Sequence, residues 1–482
     1  MRGVSFLRLR RCPGKLLQMK ELCRFYSAEP KNKLRNVLKL SDRGMYQEIF
    51  PDTCVNHVST LVNHNPQCVY AGFDPTADSL HIGNLLVLMN LLHWQRGGHQ
   101  VIAVVGGATG LIGDPSHRTN ERVALDQDVL NSNITSIKKN IVTLFENHEK
   151  YFWKDMQYPL PPIKIVNNLS WYENVNILDF IRDIGKHFRM GTMLGRTSVQ
   201  SRLKSETGMS FTEFTYQIFQ AYDWLQLLNK YNCRFQIGGS DQMGNIMAGH
   251  ELISRTARLN VFGFTLPLIT AEGGKKFGKS LGNAIWLSPK RSSSFQMYQY
   301  FIRTTDADVE NYLKLFTFLP LNQIKQIMVE HRQSPENRKA QQILAENVTL
   351  LVHGDEALQA AKNATLLLYD KSIESLSIMS QEQIAAAFEG ANIVDIVPDD
   401  SNMTAFDLAM KAKCFKSESD AIRLIKAGAF YINYKRVTDL DEKIKFGNHI
   451  LPNYITLIRT GKRTYHLVRW LELQRVENES SC

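Results

Sequence analysis

Paired cysteines are missing from this sequence. Its seven cysteines, Cys12, Cys23, Cys54, Cys68, Cys233, Cys414 and Cys482, show no Cys-x-x-Cys spacing, which indicates neither a disulfide framework nor a zinc site. Long apolar runs are missing too. The best of them, Leu85–Leu92, is less than half of the roughly 20 residues a helix needs to cross a bilayer. The chain therefore reads as soluble, with no membrane partner. Acidic residues are scarce at the start, where Arg2, Arg8, Arg10, Arg11, Lys15, Lys20 and Arg24 stand against Glu21 alone in residues 1–26.

That Arg-rich, acid-poor opening has the character of a mitochondrial transit peptide cut after Tyr26 in Arg24-Phe25-Tyr26-Ser27, and so points to the matrix. A solvated basic tail is the alternative; a secretory signal lacks its long apolar core. What remains is ordinary globular material. With 482 residues, 44% of them apolar, two or three domains are expected. Loss of seven cationic and one acidic side chain takes the net charge from +10 to +4. Residues 404–482 hold 14 Lys/Arg and nine Asp/Glu, or +5, leaving the middle near −1. Such asymmetry suits a module facing a polyanion, or an ordinary solvated surface.

The run Gln67–Phe73 reads as a strand stopped by Asp74-Pro75. A helical pattern follows from Ser79 or His81 to Arg96, Gly97-Gly98 breaks it, and Val101–Val105 is a second buried strand. This βαβ unit implies a parallel sheet. The glycine loop Gly106–Asp114 permits tight turns and close backbone approach to a ligand, though its spacing is not Gly-x-Gly-x-x-Gly. Helical patterns alternate with loops over residues 125–230. Phe235-Gln236-Ile237 is a late strand, and 294–363 is mostly helical, interrupted at Pro320 and Pro335. Residues 395–402 have linker composition, and an amphipathic helix, a glycine stop and a strand run from Ser419 to Asn433.

Two segments carry the chemistry. Tyr70–Asn84 places Asp-Pro-Thr-Ala-Asp-Ser-Leu ahead of His81-Ile82-Gly83-Asn84, where a strand end meets a helix start, and Lys275-Lys276-Phe277-Gly278-Lys279-Ser280 is a basic, glycine-broken loop. A helix start offers free N–H groups and a positive dipole end to phosphate. Lysines in a movable loop can meet a leaving polyphosphate. On a helix, Tyr216, Gln220 and Asp223 are spaced i, i+4 and i+7, so they share one face and can line one pocket.

With Gly238-Gly239-Ser240-Asp241-Gln242 between them, these segments resemble the paired HIGH and KMSKS signatures of class I aminoacyl-tRNA synthetases, in the form that bacterial-type tyrosyl-tRNA synthetases carry. The resemblance runs from about Asp42 to Trp470. It implies an α/β fold: a Rossmann-like parallel-sheet catalytic domain (27–293), a helical anticodon-side domain (294–394), a linker (395–403) and a small α/β RNA-binding domain (404–482) similar to one in a ribosomal small-subunit protein. It implies tyrosine, ATP with its Mg2+, and mitochondrial tRNA(Tyr) as partners, a homodimer, and no protein-bound metal.

By the same resemblance His81, Lys276 and Lys279 serve the phosphates, and Gly72, Asp74, Gly83, Asn84, Gln236 and Asp241 complete the ATP site. Gly83 leaves room for adenine, and Asp241 meets the ribose. Tyr216, Gln220 and Asp114 hold the ammonium and carboxylate end of tyrosine, while Tyr70 and Asp223 bond its phenol. An indole could not satisfy that last pair, which argues against a tryptophan enzyme. Asn84 replaces the second histidine of the signature and cannot carry charge; Met243 stands where bacterial relatives often have tryptophan. Arg118 and Arg122 are candidates for phosphate or tRNA contact. Two other classes compete: an RNA-scaffolding protein built on a synthetase frame, and a nucleotidyltransferase making a small adenylated cofactor.

Overall fold

The computed structural model describes residues 34–116, 126–154, 158–268, 284–370, 373–381, 383–384, 392–397, 403–415, 417–461 and 464–471. The leader, Arg118, Arg122 and the lysine loop with Lys276 and Lys279 lie outside the described residues. The chain divides into two compact units. One gathers Met1–Phe73, Asn90–Ala124 and Tyr158–Pro267; the other gathers Asp74–Met89, Leu125–Gln157 and Leu268–Cys482.

The first unit is built on a six-stranded sheet of β1 (Glu48–Phe50), β2 (Cys68–Phe73), β3 (Gln100–Val105), β4 (Lys164–Asn167), β5 (Phe235–Gly239) and β6 (Phe262–Leu266), in the order β1-β6-β5-β2-β3-β4. Pairings from β6 through β4 are parallel, as the βαβ pattern predicts. The exception is β1, an antiparallel edge strand on β6. Three residues long, it is too short to show a period in the sequence. Val101–Val105 are all buried, as expected of a strand covered on both faces.

Helix α1 (Phe211–Tyr231) starts where Ser210 Oγ accepts from the Glu213 amide at 3.2 Å and stops at Asn232 in the left-handed region, φ 52°. It packs against α2 (Met243–Thr256). Trp224, Leu227 and Leu228 of α1 join Ile246 and Leu252 of α2 in one buried cluster with Tyr70 and Ile102 from the sheet.

In the second unit, helices Ser294–Ile302, Val309–Phe316, Leu321–Gln333, Lys339–His353 and Asp355–Asp370 follow one another, with Pro320 and Pro335 in the connections. A second sheet closes the chain: β7 (Asn392–Ile396), β8 (Phe430–Ile432), β9 (Lys435–Val437), β10 (Ile455–Thr460) and β11 (Thr464–Trp470), ordered β7-β11-β10-β8-β9. Helices α3 (Ala405–Lys411) and α4 (Glu418–Lys426) bury Ala405, Leu408, Ala421 and Ile425 in the core this sheet forms. This sheet begins earlier than the linker composition suggests. Asn392–Ile396 pairs parallel to β11, putting its strand across the expected 394/395 boundary.

Candidate active site

Open parallel sheets bind ligands beyond the carboxyl ends of their strands, where the strand order reverses. Here β3 and β4 lie to one side of β2, and β5 and β6 to the other. Tyr70 of β2 and Gln236 of β5 are register partners, so both side chains leave the sheet on one face. Both are buried. Among the described residues, neither the Tyr70 hydroxyl nor Gln236 Oε1 has a hydrogen-bond partner. Gly72 follows on that same face at the strand end, and a Cβ built there would meet no atom within 4 Å.

The buried Asp223 carboxylate collects donors. Asn168 Nδ2 reaches Oδ2 at 3.0 Å, while Trp171 Nε1 and the Tyr172 hydroxyl reach Oδ1 at 2.8 and 2.7 Å. Asn168 also gives its other amide proton to Thr109 Oγ1 at 3.0 Å, and its Oδ1 accepts from the Ala108 amide at 2.7 Å. One side chain thus ties the glycine loop to the acid. Burial raises the pKa of the Tyr70 phenol well above its ordinary value, and the Asp223 charge adds to the effect. The same two causes raise Tyr172. Both phenols stay protonated and serve as donors.

Asp114 ends the glycine loop. Its Oδ1 accepts from the Ser116 amide at 2.9 Å and its Oδ2 from Gln242 Nε2 at 2.6 Å. Asn245 Nδ2 donates to Gln242 Oε1 at 3.1 Å, which fixes the way the Gln242 amide faces. Gly238 is needed here because a Cβ on it would stand 2.8 Å from that of Gln242. Tyr216, Gln220 and Asp223 lie on α1 at the expected spacing, the first and last buried and Gln220 half-buried. Asp241 occupies the single turn Ser240–Gln242 between β5 and α2.

The second unit holds the other signature. Asp74 and the loop to Leu80 are pinned by helix Gln127–His148: Asn133 Nδ2 donates to the Pro75 carbonyl at 3.0 Å, and Asn140 Oδ1 takes the Leu80 amide and the Ser79 hydroxyl, each at 3.2 Å. His81 then starts the helix Ile82–Arg96. Its Nδ1 accepts from the Gly83 amide at 3.1 Å, while Asn84 Oδ1 accepts from the His81 amide at 3.1 Å. This reciprocal arrangement is a capping box in form. With Nδ1 used as an acceptor, the ring proton sits on Nε2, making His81 a neutral donor. A Cβ on Gly83 would stand 2.9 Å from His81 Cε1, so this glycine makes room for the histidine ring. Leu80–Ile82 also pairs with Ile285–Leu287, through Ile82 N to Ile285 O at 3.0 Å and Leu287 N to Leu80 O at 2.8 Å.

Sequence reasoning missed Asn168, Trp171 and Tyr172, and quoted Gln242 without giving it a role. The one signal available was position: Asn168–Tyr172 directly follows the carboxyl end of β4.

The chain matches the family model described as tRNA synthetases class I (W and Y) over residues 62–370, and that of the tyrosine–tRNA ligase SYY-like C-terminal domain over 383–468. It is 55% identical to a Drosophila melanogaster mitochondrial tyrosine–tRNA ligase, covering 90% of this chain and 94% of the relative. It is 44% identical to the Homo sapiens mitochondrial tyrosine–tRNA ligase, over 89% and 91% of the two chains. Among solved structures, a C-terminally truncated Aspergillus nidulans mitochondrial tyrosyl-tRNA synthetase superposes with a TM-score of 0.63 at 34% identity, covering 74% of this chain and 99% of that one.

Proposed function

Because this chain belongs to the tyrosine–tRNA ligases of class I, we propose that its residues divide between a phenol-reading pocket around Tyr70 and Asp223 and an adenylating centre made by His81, Lys276 and Lys279. The enzyme activates tyrosine with ATP and charges tRNA. In the first step a tyrosine carboxylate oxygen bonds to the α-phosphorus as the bond to pyrophosphate breaks. In the second, the 3′-terminal ribose hydroxyl of tRNA bonds to the tyrosyl carbonyl carbon and AMP leaves. No protein nucleophile is needed; alignment and donors placed where oxyanion charge grows carry the rate.

The pocket reading rests on the Tyr70 hydroxyl, buried and without a partner among the described residues. An unpaired buried polar group costs about 1–3 kcal/mol, and a substrate phenol accepting from Tyr70 and donating to Asp223 removes that cost. Phenylalanine cannot. Asp114, Tyr216 and Gln220 take the ammonium and carboxylate end, and Gln236, across from Tyr70 in register, serves that pocket as well as the nucleotide. Asp74, Gly83, Asn84 and Asp241 serve ATP, and Gly72 gives it bare backbone to lie against. His81 donates from Nε2 to the phosphates. Lys279 is six residues before Ile285 in sequence, a span of at most about 20 Å, which keeps it within reach of the segment paired with His81. Mg2+ arrives on the ATP phosphates as part of the substrate.

The enzyme acts as a homodimer in the mitochondrial matrix on the mitochondrial tRNA. A dimer is supported by apolar side chains left in solvent between residues 177 and 211, with Leu178 74% and Phe211 75% exposed; light scattering of the purified protein checks it. Tyrosine-dependent ATP–pyrophosphate exchange tests the site. Absence of exchange above a Lys279→Ala control sinks the reading. N-terminal sequencing of protein recovered from mitochondria locates the cut expected after Tyr26.

A further inference from the structure

The two faces of the C-terminal sheet differ in chemistry. One face carries Phe430, Ile432, Val437, Ile458 and Val468 into the core under α3 and α4. Side chains alternate along each strand, so the residues between these point the other way. By register, Arg436 of β9 pairs with Tyr431 of β8, Tyr431 with Arg459 of β10, and Arg459 with Tyr465 of β11. The result is one transverse row across four strands, Arg436, Tyr431, Arg459, Tyr465, in which guanidinium groups and phenol rings alternate.

The row is built, not incidental. The Arg459 guanidinium carbon stands 3.7 Å from the centre of the Tyr431 ring, and its NH1 donates to the Gly461 carbonyl at 2.6 Å. Arg436 Nε donates to Gly428 O at 2.9 Å and NH2 to Ala427 O at 3.0 Å. Backbone carbonyls therefore hold both cationic planes in place without neutralising them. Tyr431, Arg459 and Tyr465 are half-buried and Arg436 is exposed. In the neighbouring row, by contrast, Arg469 is spent on Asp395, Nε to Oδ1 at 2.6 Å and NH2 to Oδ2 at 3.0 Å.

From this arrangement we infer that the helix-free face of the C-terminal sheet is a stacking platform for unpaired RNA nucleotides of the tRNA substrate, centred on the Tyr431–Arg459 pair. Aromatic rings and arginine planes stack on bases of any sequence, and the guanidinium edges meet phosphate. Duplex RNA keeps its base faces inside the helix, and an acidic peptide has no use for the rings. Pre-fixed guanidinium planes lose little freedom on binding. The inference rests on the ligase reading for the identity of the RNA, but not for the binding chemistry.

The test uses the full chain and fluorescence anisotropy with three probes: a tRNA(Tyr) transcript, a short oligouridylate and an RNA duplex of equal length. Tyr431→Leu is expected to weaken the transcript and oligouridylate about tenfold and to leave the duplex nearly unchanged, while Tyr431→Phe retains binding. Arg459→Lys keeps the charge and loses the plane; it is expected to match Arg459→Gln in lost affinity while keeping the wild-type salt slope. Wild-type affinity for the transcript and oligouridylate in both Tyr431→Leu and Arg459→Lys overturns the inference, as does an equal loss on duplex. Thermal melting reports whether each variant folds, and Arg459→Lys alone decides the matter should Tyr431→Leu not fold. A wild-type protein without tyrosine-dependent exchange would remove the ligase reading while leaving the oligouridylate result to judge the platform.

Discussion

The Gly83 amide donates to Nδ1 of His81 at 3.1 Å, so the histidine of the first signature is held by the glycine two residues on. The absence of a Cβ is what lets the ring fold back: one would stand 2.9 Å from Cε1 and 3.0 Å from Nδ1. Gly83→Ala should displace the ring and cut the tyrosine-dependent exchange rate by roughly 10- to 100-fold, the scale of losing one placed donor at the site of charge development. Asn84→Ala removes the other half of the cap, worth about 0.5–2 kcal/mol. Its smaller loss in rate should be partly restored by Asn84→Ser. Equal rates in Gly83→Ala and wild type would refute this account of the glycine.

Tyr70 offers a test in which stability and activity move in opposite directions. Its hydroxyl is buried and unpartnered among the described residues. Removing an unsatisfied buried polar group is neutral or stabilising, so Tyr70→Phe should melt at or above the wild-type temperature without substrate. The same change should lower the tyrosine-to-phenylalanine ratio of kcat/KM by about 5- to 100-fold, corresponding to roughly 1–3 kcal/mol for the lost bond. A melting temperature reduced by many degrees, with selectivity intact, would make Tyr70 a structural residue only.

Much of this was legible in the sequence because the relevant signals are local. The strand–helix–strand run from Gln67 to Val105, with its break at Gly97-Gly98, fixes the start of a parallel sheet. The i, i+4, i+7 spacing of Tyr216, Gln220 and Asp223 fixes a helical face whatever that helix packs against. What stayed hidden depends on contacts distant in sequence. Asn168, Trp171 and Tyr172 become partners of Asp223 only when the end of β4 meets α1, and no period or spacing announces that meeting. Gln242 stood in a quoted motif, yet its partner Asp114 is 128 residues away. Asn84 was readable only as a missing charge. Its capping bond to the His81 amide gives the amide a use of its own.

The Gln242 clamp on Asp114 makes a prediction about substrate affinity. Asp114 Oδ2 is oriented by Gln242 Nε2 at 2.6 Å, and Gln242 is oriented in turn by Asn245. Gln242→Ala frees the carboxylate to rotate about its side-chain bonds. The KM for tyrosine in ATP–pyrophosphate exchange should rise about tenfold, near the 1–1.5 kcal/mol of an ordinary hydrogen bond, with a smaller effect on KM for ATP. Gly238→Ala, which crowds Gln242 Cβ at 2.8 Å, should shift the same constant in the same direction. An increase confined to ATP would place Gln242 at the nucleotide instead.

His99 gives the fold a defined acid weakness. It is fully buried at the start of β3, where Nδ1 accepts from the Gln67 amide and Nε2 donates to the Arg35 carbonyl, each at 3.0 Å. Both nitrogens are satisfied by the neutral ring, and burial lowers its pKa from 6.5 to about 4. Between those values the unfolded chain binds a proton that the folded chain refuses, so stability rises with pH across the window. The contribution is fully present above about pH 6.5 and is lost as pH falls toward 4, by up to about 3 kcal/mol at 1.36 kcal/mol per unit. Urea midpoints measured at pH 7, 6, 5 and 4.5 should fall more steeply in wild type than in His99→Gln, even though the variant starts less stable. Parallel slopes in the two proteins would show that His99 is not the group responsible.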